Sequence, residues 1–341
     1  MERLIVLHQY GVKNHYLGLE RYCQNIQKEI IWLELDIFRQ FVLFLFGKKK
    51  IGTFYKNIKG ITSILLGKNK RDDLILGIAP FSFYAIVLPL LKVNRIFLHT
   101  SWPYWDGEFV PFKSILGKYI WDTFLPRFLS GAFCVTNICK NSFIERYPKF
   151  INQTYVVHHA IEDFWFYENG IEEREYDYVF VGRMVEEKGL NNILDLARIK
   201  TSSSFLLVGD GPDIERIKKN ATSNVSVLGR KSRGDLKRIY HKSKTLLLPS
   251  LTSYNWVEAF GIVIIEASSC GCNVVTTKHP GPCELATLLP NITLVNENSF
   301  NEEVLIETDK SLLLKSRLNV SEHFSIDRVA SKWELGLKAY D

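Results

Sequence analysis

Two carboxylates, Glu258 and Glu266, stand with seven residues between them inside the stretch Leu246–Thr276. The stretch reads as an apolar strand (Leu246–Leu248), a polar loop, a helix from about Gly261 and a second strand (Asn273–Thr276). A helix start leaves its first amides unpaired and carries partial positive charge, which suits an anion. Gly261 at that start lets a phosphate come close to the backbone. If the whole span were helical, the two carboxylates would lie ~12 Å apart at ~1.5 Å per residue. That is the length of a nucleotide diphosphate with a carboxylate at each end, one for sugar hydroxyls and one for ribose hydroxyls. Two carboxylates alone fit an exposed loop Glu and a satisfied helix Glu equally well.

A second group of residues follows the strand Tyr178–Gly182, in the loop Gly182-Arg183-Met184-Val185-Glu186-Glu187-Lys188-Gly189. Arg183 and Lys188 can converge there on one diphosphate, Arg with two parallel bonds and Lys as a point charge. They would stabilise charge that develops on a leaving phosphate; exposed loop charges are the plain alternative. Gly209-Asp210-Gly211-Pro212 makes a tight turn after the strand Phe205–Val208, with Pro212 opening a helix. It is no Gly-x-Gly-x-x-Gly motif, because residue 214 is Ile, so a nicotinamide dinucleotide is not supported. His99 ends the strand Arg95–His99, where parallel α/β sheets bind ligands, or else it is a partly buried structural histidine.

The run Glu258-Ala259-Phe260-Gly261, then Glu266-Ala267, then Gly271-Cys272-Asn273-Val274-Val275 resembles the nucleotide-binding signature of retaining glycosyltransferases of family four (group 1). Those enzymes have the GT-B fold. The resemblance extends over most of the chain and is strongest from about Tyr178 to Glu284. It implies transfer of a hexose from a nucleotide-diphospho-sugar, UDP-linked, to a hydroxyl of a glycan or lipid-linked acceptor. The anomeric configuration would be retained. By the same resemblance Arg183 and Lys188 hold the diphosphate with the amides around Phe260, Gly261 and Ile262. Glu258 binds sugar hydroxyls, Glu266 the ribose, and His99 the donor sugar. Gly182, Gly209 and Gly211 line the nucleotide, and the base passes over the residues after the strand Val225–Leu228, at Arg230. The family's Gly-Gly pair near the first helix is Leu17-Gly18 here, so only Gly18 matches as a phosphate contact. The residues themselves do not fix base or sugar.

The elements that must position these groups can be read from the rest of the chain. With 341 residues, 46% hydrophobic and 23% charged, it has the size and composition of two ordinary globular domains. By the resemblance the expected fold class is α/β: two facing Rossmann-like α/β/α domains with an interdomain cleft. The boundaries expected are 1–161, an acidic connection 162–177, 178–323, and a last helix 324–341 that, as the GT-B resemblance implies, crosses back to the first domain. Met1–His8 reads at once as a strand, too short and too charged for a secretory signal. Leu74–Leu91 is uncharged over eighteen residues. Pro80 divides it into a buried strand (Leu74–Ala79) and a helix (Ser82–Leu91), so it is not read as a membrane span. Helices are also expected over Lys113–Phe128 and Asn141–Tyr147.

Residues 37–71 hold nine Lys or Arg and no Asp or Glu, with large apolar residues between them. Such a segment reads as a peripheral contact with an anionic membrane, or as a solvated basic face. No nucleic-acid module accompanies it. The six cysteines show no zinc-type pairing and are expected as reduced cytosolic thiols. No Asp-x-Asp pair occurs, so neither a diphosphate-bridging metal nor another cofactor is expected, and the two cations take the metal's place. The expectation is a cytoplasmic enzyme, peripheral at the inner face of the membrane, in bacterial polysaccharide or glycolipid assembly. Two alternatives stay open. An epimerase of the same fold would release free or epimerised sugar without an acceptor. A non-catalytic nucleotide-sugar-binding partner would bind without turnover.

Overall fold

Twelve short strands, β1 (Arg3–His8) to β12 (Ile292–Val295), form two parallel sheets in the computed structural model, which describes residues 3–9, 13–36, 51–106, 115–166, 174–254, 256–303 and 309–340. The chain divides into two units, Met1–Ala160 with Ile326–Asp341, and Ile161–Ser325.

In the first unit β2 is Glu29–Glu34, β3 Asp73–Gly77, β4 Ile96–Thr100, β5 Gly131–Cys134 and β6 Thr154–Val156. The sheet order is β2-β1-β3-β4-β5-β6. β3, β4 and β5 are buried at every residue, because helices cover both faces of a parallel sheet. The helices are α1 (Leu17–Asn25), α2 (Ile51–Leu65), α3 (Ile115–Phe128) and α4 (Asn137–Arg146). Sheet order and right-handed crossovers put α1 on one face and the later helices on the other. The two buried clusters agree: Leu19, Tyr22 and Cys23 pack with Val6 and Phe97, while Ile64, Trp121 and Phe143 pack with Leu7 and Leu76.

In the second unit β7 is Tyr176–Val181, β8 Phe205–Val208, β9 Val225–Leu228, β10 Ser243–Leu248 and β11 Asn273–Thr277. The order is β12-β11-β10-β7-β8-β9. Its helices are α5 (Leu190–Ile199), α6 (Ile214–Asn220), α7 (Arg233–His241), α8 (Ile262–Ser269), α9 (Pro280–Ala286), α10 (Phe300–Glu303) and α11 (Lys310–Phe324). The last helix, α12 (Ile326–Lys338), packs along α1 in the first unit.

Several segments differ from the sequence-based expectation. Residues 82–91 form a 3-10 helix, Phe83–Leu90, containing Pro89; proline has no amide to donate. The short helix expected from Asn141 begins at Asn137, because the Thr136 side chain caps it by accepting from the Cys139 amide at 3.1 Å. In the stretch read as an acidic connection, Trp165 is buried near Tyr240. Arg174 there donates to the carbonyls of Tyr240 and His241 at 2.9 and 2.6 Å, and to those of Cys270 and Gly271 at 3.2 and 2.9 Å. These are the carboxyl ends of α7 and α8, which favour a cation. Of the basic segment 37–71, residues 37–50 lie outside the described residues; the remainder begins with α2. Among the described residues no helix is long and apolar enough to cross a membrane.

Candidate functional site

Parallel topology collects loops at the carboxyl edge of each sheet. In the second unit the loops after β7 and β8 touch. The Gly182 amide donates to the Val208 carbonyl at 3.0 Å, and that of Met184 to Asp210 at 2.9 Å. A Cβ on Gly209 would stand 1.8 Å from the Gly182 oxygen, and one on Gly211 2.4 Å from the Met184 oxygen. Only glycine permits that approach, so Gly182, Gly209 and Gly211 meet as one surface. Arg183 projects from it, exposed.

The chain then turns through Glu186–Lys188 to Gly189, whose φ is +65°. A Cβ there would lie 1.8 Å from the Pro249 oxygen, which draws this turn onto the loop after β10. The Leu251 amide completes the contact, donating to Glu187 at 2.8 Å. As a result the Lys188 ammonium pairs with the Glu258 carboxylate and lies 4.8 Å from the centre of the Trp256 ring. Both charged side chains are nearly buried, at 12% and 11% exposure.

Glu258 is held at every polar group of its backbone and at its carboxylate. Ser250 Oγ donates to Oε2 at 3.2 Å. The Glu258 amide donates to His279 Nδ1 at 3.2 Å, and its carbonyl accepts from Gly281 at 3.0 Å. Because Nδ1 accepts, the His279 proton sits on Nε2, which donates to the Ser250 carbonyl at 2.8 Å. Thr277 Oγ1 donates to that same carbonyl at 2.6 Å. A Cβ on Gly281 would lie 2.4 Å from both N and Cα of Phe260, so α9 presses directly on the Glu258–Gly261 loop. Sequence reasoning read the Gly281 turn as structural and missed Ser250 and His279. A hydroxyl and an imidazole flanking the Glu-x-Phe-Gly motif on the two neighbouring strand ends were the available signal.

Gly261 has φ +90° and begins α8 without a side-chain cap. That conformation is not helical, so the span from Glu258 is not one helix and the ~12 Å separation does not follow. Only Ile262 to Glu266 is helical, a rise of ~6 Å. Phe260 is buried against Phe324, and the amides after Gly261 head the helix. Glu266 is half-buried beside Tyr240, whose hydroxyl lies 3.4 Å from its Oε2. Burial raises its pKa to about 7, against a partial offset from the nearby Arg233. Arg230 is exposed just beyond β9, at the far edge of the sheet from β10 and Glu258.

His99 and Gly18 belong to the first unit. His99 is buried at the end of β4, with ring centres 4.7 Å from Tyr16 and 5.5 Å from Trp333. It borders a cavity of about 300 Å³ shared with His8, His15, Gly77, Trp102 and His159. Burial lowers all four imidazole pKa values, that of His8 to about 4. Sequence reasoning gave no role to His8, His15 or His159. Gly18 lies on α1, where a Cβ would stand 2.5 Å from Val329 Cγ1; its missing side chain makes room for α12.

Among the described residues no group of three or more His, Cys, Asp or Glu is placed to hold a metal ion. The buried cysteines do not approach one another as disulfides, and burial raises the thiol pKa values of Cys270 and Cys23 to about 12.

The sheet orders and the loop edge place the protein in the GT-B fold. A complex of Anabaena HepE with UDP and glucose superimposes with a TM-score of 0.71 at 16% identity, covering 99% of this chain and 100% of that one. Residues 161–323 match the family described as glycosyl transferases group 1. An uncharacterized glycosyltransferase of Methanocaldococcus jannaschii is 26% identical over 302 residues, which cover 85% of this chain and 78% of that protein. The gpi3 subunit of phosphatidylinositol N-acetylglucosaminyltransferase from Schizosaccharomyces pombe is 27% identical over 168 residues, 46% of this chain and 36% of that protein. Further curated relatives are matched over 28% to 47% of their own length. The family match covers nearly all of the second unit, and there the chain is similar to group 1 glycosyl transferases.

Proposed function

We propose that the protein transfers a sugar from a UDP-linked donor to a hydroxyl of a glycan or lipid-linked acceptor, with retained configuration. The observation that carries this reading is the Lys188–Glu258 pair, fixed by Ser250, His279 and Gly281 next to the open start of α8. A cation, a rigid carboxylate and unpaired helix amides are what a diphosphate bonded to a sugar requires.

In this reading the diphosphate engages Arg183, Lys188 and the amides after Gly261. Glu258 accepts from sugar hydroxyls and Glu266 from the ribose. Gly182, Gly209, Gly211, Phe260, Ile262 and Arg230 border the nucleotide. His99 and Gly18 are proposed as further donor contacts. The bond from the sugar's anomeric carbon to the phosphate oxygen breaks, and its electron pair goes to the phosphate. The acceptor oxygen bonds to the same face of that carbon, and its proton passes to the leaving phosphate. The cations stabilise the charge on the leaving group, so neither a metal nor a protein nucleophile is needed. UDP is favoured by the Anabaena complex of the same fold, and a lipid-linked acceptor by the name of the yeast relative. We place the activity at the cytoplasmic membrane face, in cell-surface polysaccharide or glycolipid assembly.

The test is turnover of a panel of radiolabelled nucleotide sugars with and without lipid-linked acceptors. A labelled acceptor product with retained configuration is expected. Free or epimerised sugar in the absence of acceptor indicates the epimerase. Binding without turnover indicates a non-catalytic partner. An inverted product refutes the mechanism.

A further inference from the structure

A 3-10 helix has three residues per turn, so side chains three apart align. In Phe83–Leu90 the aligned Ala85 and Leu88 face the core. The opposite row, Phe83, Ile86 and Pro89 with Leu90, faces outward. α3 packs beside this helix, and Trp121 Nε1 donates to the Ser82 carbonyl at 2.7 Å. The start of α3 presents Ile115, Leu116 and Tyr119. Phe83, Ile86, Leu90, Ile115, Leu116 and Tyr119 are each more than half exposed, Ile115 at 93%. Singly exposed apolar residues are ordinary, but six on two packed elements form a patch that marks an interaction surface.

The charges around the patch select its occupant. Lys92 follows the 3-10 helix and Lys118 lies among the apolar residues of α3, both exposed. α2, on the same face of the sheet, adds exposed Lys56 and Lys59. Neither the run 74–105 nor the run 115–121 contains an Asp or Glu. A second copy of this surface would set cation against cation. An anionic lipid surface would accept the apolar side chains at its acyl boundary and the lysines at its headgroups.

We propose that the face built by Phe83–Leu90 and the start of α3 seats the protein on an anionic membrane, with these side chains entering the interface. Lys56 and Lys59 on α2 add attraction, whereas this face provides insertion. The proposal deepens the lipid-acceptor reading, and the two fail separately: vesicle binding needs no turnover, and turnover on a free glycan needs no vesicle.

The test is co-sedimentation of the full chain with phosphatidylcholine vesicles, with and without phosphatidylglycerol, paired with sedimentation equilibrium. Wild type is expected to bind the anionic vesicles and to be released as salt rises. Ile86→Ser with Leu116→Ser should lower partitioning by roughly tenfold or more, with melting temperature unchanged because both sites are exposed. Lys92→Glu with Lys118→Glu should weaken the preference for anionic lipid. Wild-type binding by the serine variant would overturn the proposal. So would a dimer that this variant dissociates, which would assign the face to a second copy.

Discussion

Glu266 offers a test of the site that needs no donor. Its carboxyl is half-buried on α8 against Tyr240, and burial raises its pKa from 4.5 to about 7. At about 1.4 kcal/mol per pH decade, such a shift amounts to about 3 kcal/mol. The folded state binds the proton more tightly than the unfolded one. The stabilisation is therefore complete below pH 4.5 and is lost as pH rises through about 7. Glu266→Gln imitates the neutral acid at every pH and should not show that loss. The difference in unfolding free energy between variant and wild type should be near zero at about pH 4.5. It should grow to about 3 kcal/mol by about pH 8, with the variant more stable. Urea unfolding followed by hydrogen exchange of the 262–276 peptide reads this locally, which matters in a chain of two units. UDP binding should move oppositely in wild type, tightening over the same interval, because the ionised carboxylate accepts from ribose hydroxyls. Stability curves for the two proteins that stay parallel from about pH 4.5 to about pH 8 would refute the argument that burial governs this carboxyl.

Lys188→Met should cut turnover by ~10²–10³ and cost ~3 kcal/mol, because it leaves the nearly buried Glu258 without its cation. Adding Glu258→Gln should restore most of the stability but not the turnover; calorimetry and initial rates separate the two. Activity should persist in excess EDTA, and loss that manganese or magnesium restores would contradict cation-only stabilisation of the diphosphate. Gly189→Ala should lower stability by more than ~1 kcal/mol, given φ +65° and a Cβ 1.8 Å from the Pro249 oxygen. Gly229→Ala, with open space around it, should melt as wild type does.

The sequence alone determined β1 to β11, most of them continuously apolar as buried parallel strands must be; β12 (Ile292–Val295), half-exposed at the sheet edge, was not read. It also marked the chemical vocabulary of the second unit: Arg183, Lys188, Glu258, Glu266 and the glycines that let loops approach. Composition was a poorer guide to exposure. The uncharged run 74–91 carries no sign of which residues are exposed, yet three-residue periodicity turns Phe83, Ile86 and Pro89 outward, with Leu90 beside them. Local sequence could not show that Lys188 rests on Glu258, since that contact depends on Gly189 lying over Pro249. Nor could it join Ser250, Glu258 and His279, which meet because β10 and β11 are paired in parallel and end together. Nor could it show that Val329, from the far end of the chain, packs against Gly18. His8, His15, His99 and His159 are scattered in sequence and share one cavity because separate strand and loop ends converge there. In each case the deciding quantity is where a side chain points after the crossovers are made, and a crossover is set by which strands pair, not by the residues next to it in the chain.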